Sequence, residues 1–273
     1  MNSRNLLFPA LALIFLFVSL TSICTMAAFR ISGGFGQVDG NSDNTEPPPF
    51  IDVEANTAPD NVLKETADKG EAYLKKIIFV GDSTTYHMIS RGVLPGGTDT
   101  MQVWCPQNGT LMLSSSVTSL KIVYPETGTE MTIAEAAAQQ QPEYMVLTIG
   151  LNGAHTFTEG IYKGSYGKLI EAIQTASPST KIILQSVFPV AGNETAWTSL
   201  TPKELNLKID QVNSWAKDLT GKYENVRYLD TQSVLRDADA FLKAAYESGD
   251  GIHLTEAGYR AILQYIRTHA WES

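Results

Sequence analysis

Apolar positions along this chain follow two regimes, one at the N-terminus and another from about residue 61 onward. The first is a run from Leu6 to Phe29 of apolar and small uncharged residues, bracketed by Arg4 and Arg30. About 20 such residues are what a helix needs to cross a bilayer, so residues 1–30 read as a membrane anchor or a signal segment. The run is longer than the ~7–15 apolar residues of a cleavable signal peptide, which favours an anchor. The small residues around Thr25, Ala27 and Ala28 leave cleavage open. Arg4 agrees with an N-terminus kept inside and a remainder that is exported, whereas Arg30 on the far side opposes it. Residues 31–61 then turn to Gly, Asn, Asp, Glu and Pro, including consecutive Pro47, Pro48 and Pro49. So few large apolar side chains cannot support a core, and the stretch reads as an acidic linker.

Beyond it, strand-like and helix-like patterns alternate. Asn61 to Lys75 reads as a helix that leads into the apolar run Ile77-Ile78-Phe79-Val80. Further short β-rich runs lie at Gln102–Trp104, Tyr144–Ile149, Lys181–Val187 and Val226–Leu229. Most are unbroken rather than alternating, the mark of strands buried on both faces in a parallel sheet. Between them, Tyr166, Leu169, Ile170 and Ile173 recur at helical spacing, as do Leu205, Ile209, Val212, Ala216 and Leu219. A last helix, Thr255 to Ala270, places Ala261, Ile262, Tyr265 and Ile266 on one face, with Thr255 as its N-cap. Lys121 to Thr132 reads as a β-hairpin around Glu126-Thr127-Gly128. The expected architecture is a doubly wound α/β domain over residues 62–273.

Composition narrows the function. The formal charge of −9, with no clustered Lys and Arg, argues against a nucleic-acid partner. Four histidines and two cysteines show no His-x-x-x-His or Cys-x-x-Cys spacing, so neither a metal nor a cofactor site is expected. Cys24 falls inside the apolar run without a small residue before it, which argues against lipidation, and Cys105 is expected to be a free thiol.

Candidate chemistry collects where ligands of parallel α/β sheets collect, beyond the carboxyl ends of strands. Gly81-Asp82-Ser83 follows the first strand and opens a helix (Thr84 to Ser90), so Ser83 is either a helix cap or an exposed hydroxyl whose N–H faces a developing oxyanion. Asn152, after the strand ending at Ile149, is a turn residue or a second oxyanion donor. His253 lies three residues after Asp250, close enough for a carboxylate to orient an imidazole, or for a surface ion pair. His87, one turn after Ser83, and His155, just beyond Asn152, are either pocket-lining or structural; His269 is expected to be exposed and without a role.

Taken together, the order Gly-Asp-Ser, Gly-x-Asn and Asp-x-x-His-Leu resembles the SGNH/GDSL hydrolases from Ile77 to the C-terminus, with Ile252-His253-Leu254-Thr255-Glu256-Ala257-Gly258-Tyr259 also similar to that family. The resemblance implies a flavodoxin-like three-layer α/β/α fold with a mostly parallel sheet. It implies Ser83 as nucleophile, His253 as base, Asp250 as orienting acid, and an oxyanion hole of the Ser83 N–H and Asn152. Two positions depart from the pattern. Gly153 follows Asn152 where the family carries Asp, and the glycine-bearing second block is not obvious; Gly109 in Gln107-Asn108-Gly109-Thr110 is its candidate, against an ordinary turn. The implied activity is a serine esterase acting on an O-acetyl or other short acyl ester of an extracellular carbohydrate or cell-wall polymer. An O-acyltransferase using the same triad and a silent glycan-binding module are the alternatives. The expected location is a membrane, single-pass with the domain outside, or secretion if the first segment is removed.

Overall fold

A computed structural model of the chain describes residues 61–193 and 198–272. The expected membrane segment and nearly all of the linker lie outside them. Among the described residues no helix is long and apolar enough to cross a membrane.

Among the described residues seven strands form in chain order: β1 (Ile77–Gly81), β2 (Val103–Trp104), β3 (Lys121–Tyr124), β4 (Thr129–Thr132), β5 (Tyr144–Thr148), β6 (Lys181–Gln185) and β7 (Val226–Leu229). β3 and β4 pair antiparallel, Lys121 opposite Thr132, and make the expected hairpin. The other five build one parallel sheet in the order β2-β1-β5-β6-β7. With the hairpin set aside this is the flavodoxin-like order, and its direction reverses between β1 and β5.

The helices are α1 (Gly70–Leu74), α2 (Ser83–Ser90), α3 (Ile133–Gln140), α4 (Glu159–Ala176), α5 (Pro202–Thr220), α6 (Gln232–Leu235) and α7 (Glu256–Thr268). Alternate strand residues feed two cores. Ile78 and Val80 of β1, Met145 and Leu147 of β5, and Ile182 and Leu184 of β6 pack with residues of α3, α4 and α5. Ile77, Phe79, Val146 and Ile183 face the other way, among Met88 of α2, Leu235 of α6 and Tyr259, Ile262 and Ile266 of α7. Burial on both faces is why these strands read as unbroken apolar runs. The result is the three-layer α/β/α fold of the SGNH/GDSL type.

Side-chain caps set the helix starts. Thr158 begins α4, Thr255 begins α7, and Thr201 with Glu204 forms a reciprocal capping box at α5, with Pro202 at its first position. The buried face of α7 is Tyr259, Ile262, Leu263 and Ile266, with Ala261 and Tyr265 only half-buried at its edge.

The expected helix over Asn61 to Lys75 does not form as such. Val62 bridges Tyr228 in parallel, the Leu63 N–H donates to the Tyr228 carbonyl at 2.8 Å, and the Tyr228 N–H donates to the Asn61 carbonyl at 2.6 Å, so the segment extends the sheet beyond β7. Thr66 and Lys69 then donate to the carbonyls of Thr268 and Arg267 at the end of α7. These long-range partners override a weak local propensity, and helix is left only from Gly70 to Leu74.

Candidate active site

The strand order reverses between β1 and β5, and in open α/β sheets the ligand crevice lies at the carboxyl ends of strands at such a reversal, here beside the start of α2 and the loop after β5. Gly81 closes β1 opposite Thr148, and a Cβ there would sit 2.6 Å from the Thr148 carbonyl oxygen, so only glycine lets the chain turn at this point. Asp82 is the N-cap of α2; its Oδ1 accepts from the Thr84 N–H at 3.0 Å and the Thr84 hydroxyl at 2.7 Å. Ser83 is therefore the first helical residue rather than the cap. A backbone N–H there has no partner inside the helix and points out along the positive end of the dipole.

The opposite side of the crevice is the turn before α7. Asp250 Oδ1 accepts from the backbone N–H groups of Ile252 at 2.9 Å and His253 at 2.8 Å, leaving Oδ2 to meet His253 Nδ1 at 2.6 Å. His253 Nε2 lies 2.9 Å from Ser83 Oγ. With Nδ1–H donating to the carboxylate, Nε2 is left as an acceptor facing the Ser83 hydroxyl. The contact is locked from behind: the Tyr259 hydroxyl of α7 donates to the Thr84 carbonyl at 2.6 Å, and the Ala191 N–H donates to the Gly251 carbonyl at 2.9 Å.

Two carboxyls beside Ser83 have opposite electrostatics. Partial burial pushes Asp250 up, but the bonds from the His253 ring and from the backbone of His253 and Ile252 outweigh it and hold the carboxyl at about 2. It stays ionised and able to support an imidazolium. Full burial pushes Asp82 up to about 6 despite its bonds from Thr84. Nearby Cys105 is free and buried, and burial followed by the Asp82 charge drives its thiol well above the ordinary range, so it is not a competing nucleophile.

Asn152 sits in the loop after β5, and its Nδ2 donates to the Leu111 carbonyl at 3.1 Å. That bond takes one of the two amide hydrogens and fixes the side chain's orientation. Gly109 needs correcting as an oxyanion donor. Its N–H donates to the Pro106 carbonyl at 2.8 Å, with φ +67°, closing a turn, and Tyr86 packs against its Cα face. The departure at Gly153 has a steric reason: φ is +93°, and a Cβ would lie 2.9 Å from Phe157 Cζ and 3.3 Å from Met112 Sδ. An Asp would be strained on that backbone.

His155 is exposed in the turn beyond Asn152. His269, expected to be exposed, is half-buried and stacked on Tyr265 with centroids 3.6 Å apart. His87 stacks on His253, centroids 4.1 Å apart at 17°. Its helical spacing from Ser83, i to i+4, was the only sequence signal of this. Among the described residues no group of three or more His, Cys, Asp or Glu side chains is arranged to hold a metal ion.

The family model of the GDSL-like Lipase/Acylhydrolase family matches residues 79–261, a span that includes Ser83, Asn152, Asp250 and His253. The chain belongs to this family. No curated protein matches it. Solved structures similar to this GDSL-like chain include the periplasmic domain of a lipopolysaccharide acetyltransferase from Salmonella ser. Paratyphi A, 17% identical with a TM-score of 0.48, covering 70% of this chain and 82% of that one. A DUF4886 family protein from Bacteroides uniformis is 16% identical with a TM-score of 0.48, covering 72% and 86%. A GDSL-like lipase from Bacteroides thetaiotaomicron is 17% identical with a TM-score of 0.42, covering 71% and 87%.

Proposed function

We propose that this GDSL-family acylhydrolase is a serine esterase that removes an acetyl or other short acyl group from a hydroxyl of an extracellular carbohydrate or cell-wall polymer. The observation that carries the esterase part is the continuous chain Ser83 Oγ, His253 Nε2, His253 Nδ1, Asp250 Oδ2, with contacts of 2.9 and 2.6 Å. Ser83 attacks the ester carbonyl while His253 takes its proton. Asp250, ionised and anchored by two backbone N–H groups, stabilises the imidazolium. The developing oxyanion is received by the Ser83 N–H at the start of α2 and by the free hydrogen of the Asn152 amide. His253 then protonates the departing alcohol, and a water activated by the same imidazole releases the acid from Ser83.

The substrate class is supported by two features. The Leu6–Phe29 run and the acidic linker suit a domain held at the outer face of a membrane, and the half-exposed Asp250 marks a site at the surface, open to an ester carried on a polymer. The test compares the full chain with its Ser83→Ala variant on p-nitrophenyl acetate and on acetylated polysaccharides, with labelling by a fluorophosphonate. Turnover and labelling that both disappear with Ser83→Ala are expected. Activity that persists in the variant, or a folded wild type that neither turns over nor labels, overturns the esterase assignment. Acylated sugar in place of free acid, when a sugar acceptor is present, would make the acceptor a hydroxyl rather than water.

A further inference from the structure

The triad as described leaves one degree of freedom unrestrained. Asp250 Oδ2 accepts one hydrogen bond, from His253 Nδ1–H, which fixes that ring nitrogen but permits the imidazole to tilt about the contact. Asp250 cannot clamp it by burial, since its side chain is 50% exposed while that of His253 is 18% exposed. Tilting moves Nε2, the atom that must take the serine proton.

His87 removes that freedom. Its ring lies 4.1 Å from the His253 ring and within 17° of parallel, so tilting either ring drives it into the other. His87 belongs to α2, one turn beyond Ser83, and residues four apart on a helix share a face. Nucleophile and flat support are thus carried on one rigid element. Its Nδ1 is buried with no hydrogen-bond partner among the described residues. An orphaned buried polar atom is unfavourable, and the contact it accompanies is the stack on His253. A protonated His87 is disfavoured in this position. Burial, then the charges of His253 and Arg91, push His87 down against the opposing pull of Asp250.

We propose that His87 is a positioning residue whose planar ring, stacked on His253, holds Nε2 aimed at Ser83 during proton transfer. This rests on the esterase reading above. A misplacement of about 1 Å in a reacting group lowers rates by about 100-fold, so loss of the flat support should lower kcat by about 10- to 100-fold with KM within twofold.

The experiment uses the full chain on p-nitrophenyl acetate, with active sites counted by fluorophosphonate titration so that kcat refers only to folded, competent enzyme. His87→Ala removes the ring, His87→Leu fills its volume without a flat face, and His87→Phe keeps the flat face. Slow turnover per active site in Ala and Leu, with Phe restored to within about threefold of wild type, is the expected pattern. A role in packing alone would lower thermal stability and the number of active sites but leave kcat per site unchanged. Unchanged kcat in Leu, or Phe as slow as Leu, overturns the proposal even if Ala does not fold. Ser83→Ala in parallel separates the two claims: an inactive Ser83→Ala beside a fully active His87→Leu sinks only the positioning role, whereas an active Ser83→Ala sinks the esterase reading beneath it.

Discussion

Replacing Asp82 by Asn should stabilise this protein progressively as the pH rises from 4 to 7. Asp82 is 1% exposed, and its carboxyl is pushed up from 3.8 to about 6 because burial disfavours the charge more than the Thr84 bonds favour it. A rise of about two units corresponds to about 3 kcal/mol between protonated and ionised forms. The sign follows from which state holds the proton. With the folded pKa above the unfolded one, the native state binds the proton more tightly, so Asp82's contribution is complete below about pH 4 and is lost as the pH rises through about 6. Asn does not titrate, and its Oδ1 can still accept from the Thr84 N–H and hydroxyl, so the helix cap survives. The stability difference between variant and wild type should therefore grow by about 3 kcal/mol from pH 4 to pH 7. Urea denaturation at several pH values, followed by tryptophan fluorescence with Trp104 fully buried, measures it. Taking the difference cancels the titrating groups that do not interact with Asp82. A difference that does not change with pH would refute a buried, titrating carboxyl at Asp82 beside Ser83.

Three further outcomes are expected. Asn152→Ala should lower kcat by about 100- to 1000-fold with little change in thermal stability; a kcat within threefold of wild type would reduce Asn152 to a tether for the Leu111 loop. Asp250→Asn should lower kcat by about 10⁴-fold. Its stability deficit should also be present at pH 5 and shrink as the pH falls toward 2, because the carboxyl is held at about 2 and its contribution is lost only as it protonates; a deficit independent of pH would contradict the anchored carboxylate. Gly153→Asp, which restores the family pattern, should cost about 1–3 kcal/mol, from the positive φ and the close approach of Phe157, and lower the melting temperature. An unchanged melting temperature would mean the loop relaxes freely.

Much of the fold is written locally. Unbroken apolar runs such as Ile77–Val80 and Tyr144–Leu147 mark strands buried on both faces, and Thr255 marks a helix start, because each depends on neighbours a few residues away. The candidate site was also legible, as three short motifs in a fixed order that carry Ser83, Asn152, and Asp250 with His253, although none of them contains the contact between Ser83 and His253. Ser83 and His253 are 170 residues apart in sequence and 2.9 Å apart in space, a distance set by the parallel sheet order and by the Tyr259 bond to Thr84. Where local and distant demands disagreed, the distant ones decided. Asn61 to Lys69 pairs with Tyr228 and the end of α7 instead of forming a helix, and the Gly109 amide closes its own turn instead of facing the crevice. The ring of His87 against His253 belongs to the same class. Sequence places His87 one helical turn from Ser83, but only the packing of α2 against the turn before α7 lays the two imidazoles face to face, because ring stacking is a property of two surfaces brought together and neither segment encodes it alone.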